Sequence, residues 1–442
     1  MSSYYNFTVF LDKIKGMRKL LFILLCSFVL LNSLACKPVK QNKTSKPDSA
    51  QTKTQDNTSN DFLFNSDTIV KDKGSVPFGT TTAFELTKAM TTGWNLGNTF
   101  DATGAYWMES ETSWGQPQTT KAMIDGLAKS GIKTIRIPVS WHNHITDKQS
   151  YTIETNWMNR VKTVVDWAIA DGMYVIINSH HDNYLQSGTM PRANGYYPSS
   201  ENLEESLRFL KNVWGQIAAA FNNGYDEHLI FETMNEPRPA GTACEWWFNG
   251  DRLCLDSAKC LLQMNQAVID VIRASGGNNA KRFVMCPALQ ASENSASSST
   301  FKMPQDIEDG RLILSIHAYT PYSFAMEAPG EKIFTQAHKD ELTGLFNRLK
   351  SKFIDKGYPV VIGEYGATNK DNLEERVVWF DFYVSTAKSY GIPCILWDNG
   401  VWWINKDENG TPDYNEGYGY YNRLAQSWYF PEITEAIIEA SK

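Results

Sequence analysis

Leu127-Ala128-Lys129-Ser130-Gly131 runs directly into Ile132-Lys133-Thr134-Ile135-Arg136-Ile137-Pro138-Val139. The first five residues end an amphipathic helix, and the glycine supplies the left-handed conformation that closes it. The run that follows is a strand rich in apolar residues, as in a parallel sheet covered on both faces. The unit recurs. Ala168 to Gly172 leads into Met173 to Asn178, Ile354 to Gly357 into Tyr358 to Gly363, and Ser389 to Gly391 into Ile392 to Trp397. Thr92 to Gly97, Leu229 to Met234, Arg282 to Pro287 and Leu312 to His317 bring the strands to eight. Helices separate most of them: Asn156 to Ala170, Glu201 to Phe221, Asp256 to Ala274, Lys339 to Asp355 and Leu373 to Lys388. The link between the fifth and sixth strands is weakly helical. Eight strands with helical crossovers predict an α/β chain closed into a (β/α)8 TIM barrel. An open doubly wound sheet is the alternative, but no glycine-rich phosphate loop follows the first strand.

A barrel of roughly 250 to 350 residues fits within the chain as one domain, here 76–442. Ahead of it, Met17-Arg18-Lys19 and the apolar stretch Leu20 to Leu31 read as a secretory leader, with Met17 a candidate start. Ser33-Leu34-Ala35-Cys36 closes it like a lipoprotein box, so residues 1–36 predict an exported protein. A lipid anchor on Cys36 is favoured over free secretion. Residues 37–75 are rich in Lys, Thr, Ser, Asn, Gln and Asp and predict a flexible tether, because they bury too little surface to offset ordering.

A net charge of −7 offers no basic face for nucleic acid. Seven cysteines are too few for a disulfide scaffold and fit no zinc spacing. Cys286 and Cys394 fall in apolar runs and read as buried thiols. Cys244, Cys254 and Cys260 cluster, and a bridge between two of them suits an oxidising compartment, the pair left open. Fourteen tryptophans are many, and Trp107, Trp114, Trp246, Trp247, Trp402 and Trp403 fall in loops. Indole faces there suit the C–H faces of sugar rings, although core packing accounts for about half of the indoles.

In such barrels chemistry sits at the C-terminal ends of the strands. Asn95, Arg136, His180, His181, Asn235, Glu236, His317, Tyr319, Glu364 and Trp397 all fall there. Glu236 ends the fourth strand and Glu364 the seventh, across the barrel mouth from each other. Carboxylates about 5 Å apart suit double displacement at an anomeric carbon, and a wider gap suits inversion. Arg136 near Glu364 would hold it ionised, while a less solvated setting would keep Glu236 protonated. His180, His181 and Asp182 invite a metal reading. Neighbours in a strand point to opposite sides, so no metal or other cofactor is expected.

The stretches GWNLGNTFDA (93–102), ETSWGQP (111–117), IRIPVSWHNH (135–144), VIINSHHD (175–182), FETMNEPR (231–238), SIHAYTPYSFA (315–325), VVIGEYGA (360–367) and ILWDNG (395–400) resemble glycoside hydrolase family five, subfamily four, in order. The resemblance implies a retaining endo-β-1,4-glycanase with Glu236 as acid/base and Glu364 as nucleophile. It implies that Asn235 bonds the sugar 2-hydroxyl, that Arg136 and Tyr319 hold Glu364, that the three histidines line the site, and that Trp397 forms the floor. The stretch 241–260 looks less like the family. The expected partner is a β-glucan polysaccharide or oligosaccharide: cellulose-type first, then xyloglucan, then mixed-linkage glucan or xylan. A monomer is favoured, with a membrane met only through Cys36. The rival reading is a non-catalytic glycan-binding surface lipoprotein, which should have lost a carboxylate or its partners.

Overall fold

The computed structural model describes residues 69–442, except 106, 184–193 and 407–408. The expected leader, its Cys36 and the tether up to residue 68 lie outside the described residues. The last residues of the expected tether pack on the folded unit. Val70 rests on the hydrophobic core, and the Asp72 amide donates to the Ala219 carbonyl at 2.8 Å.

Eight parallel strands close into a barrel. They are β1 Thr92–Asn95, β2 Thr134–Ile137, β3 Tyr174–Asn178, β4 Leu229–Glu232, β5 Val284–Pro287, β6 Leu312–His317, β7 Val360–Tyr365 and β8 Cys394–Leu396. Each pairs with the next in sequence, and β8 pairs with β1. All eight predicted strands are present. Around them run α1 Ala83–Met90, α2 Lys121–Lys129, α3 Thr155–Ala170, α4 Leu203–Ala220, α5 Arg252–Ala274, α6 Gln336–Lys352, α7 Leu373–Ser389 and α8 Pro431–Ser441. The weakly helical link between β5 and β6 holds only the short turns Leu289–Ala291 and Glu293–Ala296.

The repeating unit folds as its chemistry requires. Gly131 and Gly172 take φ of 102° and 74°, the left-handed conformation that ends α2 and α3 and feeds β2 and β3. Helix α1 begins in a capping box between Thr82 and Glu85, and its Ala83, Leu86 and Met90 plug one end of the barrel. They pack against Ile176, Ile230, Met285, Ile313, Val361 and Ile395, the inward side chains of six strands. Side chains alternate along a strand, so residues two further on face the same interior. Asn178, Glu232 and Ser315 therefore form a polar layer above the apolar plug.

On β7 that alternation breaks. Ile316 pairs with Ile362 but His317 pairs with Glu364, and Cys394 pairs with Ile362 but Leu396 with Tyr365. The extra residue is a bulge, which turns Glu364 inward where strict alternation from Val361 would send it outward. Gly363 occupies the bulge, and a Cβ there would lie 3.2 Å from His317 Nε2.

No atom lies within 4 Å of a Cβ built on Gly172, so its left-handed φ alone opposes a side chain. Gly172→Ala should therefore cost about 1–2 kcal/mol. Urea unfolding should show a lower midpoint with an unchanged slope; an unaltered midpoint would contradict this account of the turn.

Candidate active site

Arg136, on β2, is fully buried and organises the C-terminal mouth. Its Nε donates to Glu232 at 2.8 Å, and one terminal nitrogen donates to Asn95 at 2.9 Å and to Glu364 at 2.8 Å. The other terminal nitrogen donates to Asn235 at 2.6 Å and lies 2.7 Å from Glu232. Glu232 also accepts from Asn178 at 2.9 Å and from Ser315 at 2.6 Å. Tyr319 donates its hydroxyl to the second Glu364 oxygen at 3.0 Å. The expected Arg136 and Tyr319 grip on Glu364 is therefore present in the geometry.

His317 stands between the two candidate carboxylates, its Nδ1 2.8 Å from Glu236 and 3.6 Å from Glu364. One oxygen of Glu236, one of Glu364 and a ring nitrogen of His317 lie within 4.8 Å of one another. Arg238 flanks Glu236, its guanidinium donating to the Glu236 carbonyl at 3.0 Å and lying 4.0 Å from the carboxylate.

The protonation pattern differs from the expectation. Burial pushes the Glu364 carboxyl above its ordinary range, and His317 and Arg136 offset this only in part. Burial also acts on Glu236, but the hydrogen bond and charge of His317, with Arg238, draw it below the ordinary value. Burial disfavours charge on His317, yet Glu364 and Glu236 together raise its affinity for a proton. A 2.8 Å bond joins His317 to Glu236, along which a proton can pass between the imidazole and the carboxyl. A shift along that bond gives the protonated carboxyl an acid catalyst needs.

Other expected residues fall into two groups. Asn95 has no exposed surface, and its amide hydrogens point at the Gly363, Ile395 and Leu396 carbonyls at 3.0 to 3.2 Å. It braces Arg136 beneath the cleft instead of facing a ligand. The ring of His180 lies parallel to Trp397, with centroids 5.9 Å apart and planes 3° apart. Burial keeps both His180 and His181 in the neutral form, His181 drawn down to about 4.

The alternation argument about the two histidines fails, because β3 ends at Asn178 and neither residue belongs to the strand. Their rings converge to 4.4 Å, and atoms of both lie within 4.8 Å of Asp101. Asp101 accepts from the Asn98 and Thr99 amides at 3.0 and 2.7 Å, and burial pushes it up to about 6. Both Asp101 oxygens are thus already engaged by backbone.

Sequence reasoning missed Glu232 and Asp398. Asp398 accepts from Trp94 Nε1 and from the Gly400, Tyr420 and Tyr421 amides, tying the loop after β8 to β1. A charged residue inside an apolar strand run was the available signal for Glu232, since such a charge needs a buried partner.

Residues 97–401 match the cellulase family, glycosyl hydrolase family 5. The chain belongs to that family. Within the family it is 40% identical to endoglucanase B of Ruminococcus albus over 364 residues, 81% of each chain. A family 5 lichenase from Caldicellulosiruptor sp. F32, solved with cellotetraose, is 38% identical, covers 84% of this chain and 98% of its own, and superposes with a TM-score of 0.75. A broad-specificity subfamily 4 endoglucanase from Ruminococcus champanellensis with bound cellotriose is 38% identical, covers 82% of this chain and all of its own, and superposes with a TM-score of 0.74.

If activity needs Glu364 ionised and one proton on the Glu236–His317 pair, both limbs of the pH profile follow. Activity should be lost as pH falls through the raised Glu364 value, above the ordinary 4.5, and as pH rises through the raised His317 value, above 6.5. In His317→Asn the proton rests on a carboxyl alone, so the alkaline limb of kcat/KM should move to lower pH. An unmoved limb would contradict the shared proton.

Proposed function

We propose that this glycoside hydrolase cleaves internal β-1,4 bonds of β-glucans with retention, Glu364 acting as nucleophile and Glu236 as acid and then base. The observation that carries the reading is the approach of one Glu236 oxygen to within 4.8 Å of a Glu364 oxygen. Such a gap admits direct attack on the anomeric carbon, whereas inversion needs roughly 6.5–9.5 Å to seat a water between acid and base. Glu364 forms a bond to the anomeric carbon as the glycosidic bond breaks, and Glu236 gives its proton to the departing oxygen. Water then attacks that carbon, Glu236 takes the proton, and the Glu364 carboxylate leaves. Arg136 and Tyr319 hold Glu364 oriented through both steps. Arg136 also fixes the Asn235 amide with its oxygen turned inward, which leaves its NH2 as the donor for a sugar 2-hydroxyl.

Relatives named as endoglucanases and lichenases support a glucan backbone. Six exposed tryptophans (Trp107, Trp114, Trp246, Trp247, Trp402 and Trp403) sit in the segments that follow β1, β4 and β8, at the catalytic end. They support a cleft that follows a long chain, with cellulose-type glucan first, then xyloglucan and mixed-linkage glucan. The interlocked carboxylates argue against a glycan-binding protein that has lost catalysis. Export with a lipid anchor on Cys36 is supported by the sequence of the leader and by the Cys244–Cys254 disulfide, which suits an oxidising compartment.

Glu364→Gln should lower turnover on barley glucan or carboxymethyl cellulose by about 1,000-fold or more while oligosaccharide binding persists. Retention of more than about a hundredth of the rate would remove Glu364 from the nucleophile's role. Glu236→Ala should slow hydrolysis of the polysaccharide far more than that of an aryl glycoside with a good leaving group. Equal losses on the two would count against Glu236 as proton donor.

A further inference from the structure

We infer that the Cys244–Cys254 disulfide and Gln290 are positioning residues that fix the wall of the cleft next to Glu236. This rests on the reading of Glu236 as proton donor. The departing sugar oxygen must then lie at Glu236, so the departing chain meets the surface that continues from it. That surface is the loop between β4 and α5, whose second half falls in the stretch 241–260 that looks less like the family. It contains no helix or strand, and Trp246 and Trp247 are 58% and 63% exposed. Beyond Ala240 the loop is mostly exposed, with Cys244 buried and Phe248 half-buried against the core, so its shape depends on what ties it.

Three ties converge on it. The disulfide joins buried Cys244 to Cys254 in the first turn of α5, whose amide donates to the N-cap carboxylate of Asp251 at 2.8 Å. Gln290 donates its amide N–H to the Pro237 carbonyl at 3.0 Å and its Nε2 to the Cys244 carbonyl at 2.7 Å. It thereby clamps the start of the loop, one residue past Glu236, to its middle. Gln290 has φ of 56°, a conformation that non-glycine residues hold only when their surroundings enforce it. Ser295 supplies part of that enforcement, donating to Gln290 Oε1 at 2.6 Å. The third tie is Arg238. Its guanidinium lies 3.6 Å from Glu245 and 4.1 Å over the Trp246 ring, besides touching Glu236. Glu245 and Trp246 follow Cys244 directly, so a loop released from the bridge takes them from Arg238, and Arg238 loses its hold beside Glu236.

The test compares the wild type with Cys244→Ser/Cys254→Ser and with Gln290→Ala on two substrates. One is a long soluble β-glucan. The other is an aryl β-cellobioside with a good leaving group, which needs neither the wall nor a strong acid. Each variant should lose about ten-fold or more in kcat/KM on the glucan and no more than about two-fold on the aryl substrate. Unchanged rates on both would overturn the inference. So would equal losses on both, the mark of a damaged barrel. Should the double variant fold poorly, Glu245→Ala tests the same wall without touching the bridge and should show the same split. Failure of the underlying reading looks different: Glu236→Ala would then lose both substrates alike while the wild type still discriminated.

Discussion

A fully buried guanidinium sets the terms for the mouth of this barrel. Removing a charge from water costs several kcal/mol unless partners replace the hydration. Arg136 finds them in Glu232, Glu364, Asn95 and Asn235, drawn from three other strands or their ends. The same bonds that satisfy Arg136 therefore fix where Glu364 and Asn235 lie. Because Glu232 takes two of the guanidinium contacts, Arg136 cannot wholly offset the burial of Glu364. The remaining imbalance of charge falls on His317, which gains proton affinity from the two carboxylates beside it. Protonation at the site is a property of these neighbouring groups together, not of any single pair.

Geometry of attack depends on a second constraint, the bulge at Gly363. Without it, strict alternation would point Glu364 away from the interior that holds Arg136 and Tyr319. Glycine suits the bulge because a Cβ there would lie 3.2 Å from His317 Nε2 and press on that ring. A backbone irregularity of one residue thus separates a packed barrel from one with a carboxylate aimed at substrate.

Around this rigid centre the loops divide their work. Those after β1 and β8 are pinned near the core, with Asp398 bonded to Trp94 on β1 and, through its carbonyl, to the Gly97 amide just past it. The loop after β4 rests Phe248 on the core and is held besides by a covalent bridge and by Gln290. Exposed indoles on all three give a glycan broad, flat surfaces, while the polar layer below supplies directed hydrogen bonds.

Much of this was legible in the chain itself. Helix-ending glycines and apolar runs determined eight strands and their parallel order, because those signals are local and repeat. Polar residues at strand ends determined which side chains reach the mouth, and Glu236 and Glu364 stood out by position. Tertiary structure alone decided the rest. Asn95 became a brace because three carbonyls from β7 and β8 close over its amide. His180 and His181 turned toward each other because the strand had already ended. Glu232 became the counter-charge of Arg136, the bulge at Gly363 turned Glu364 inward, and Cys244 found Cys254 rather than Cys260. Each of these depends on distances between segments far apart in sequence, and such distances exist only once the barrel has closed.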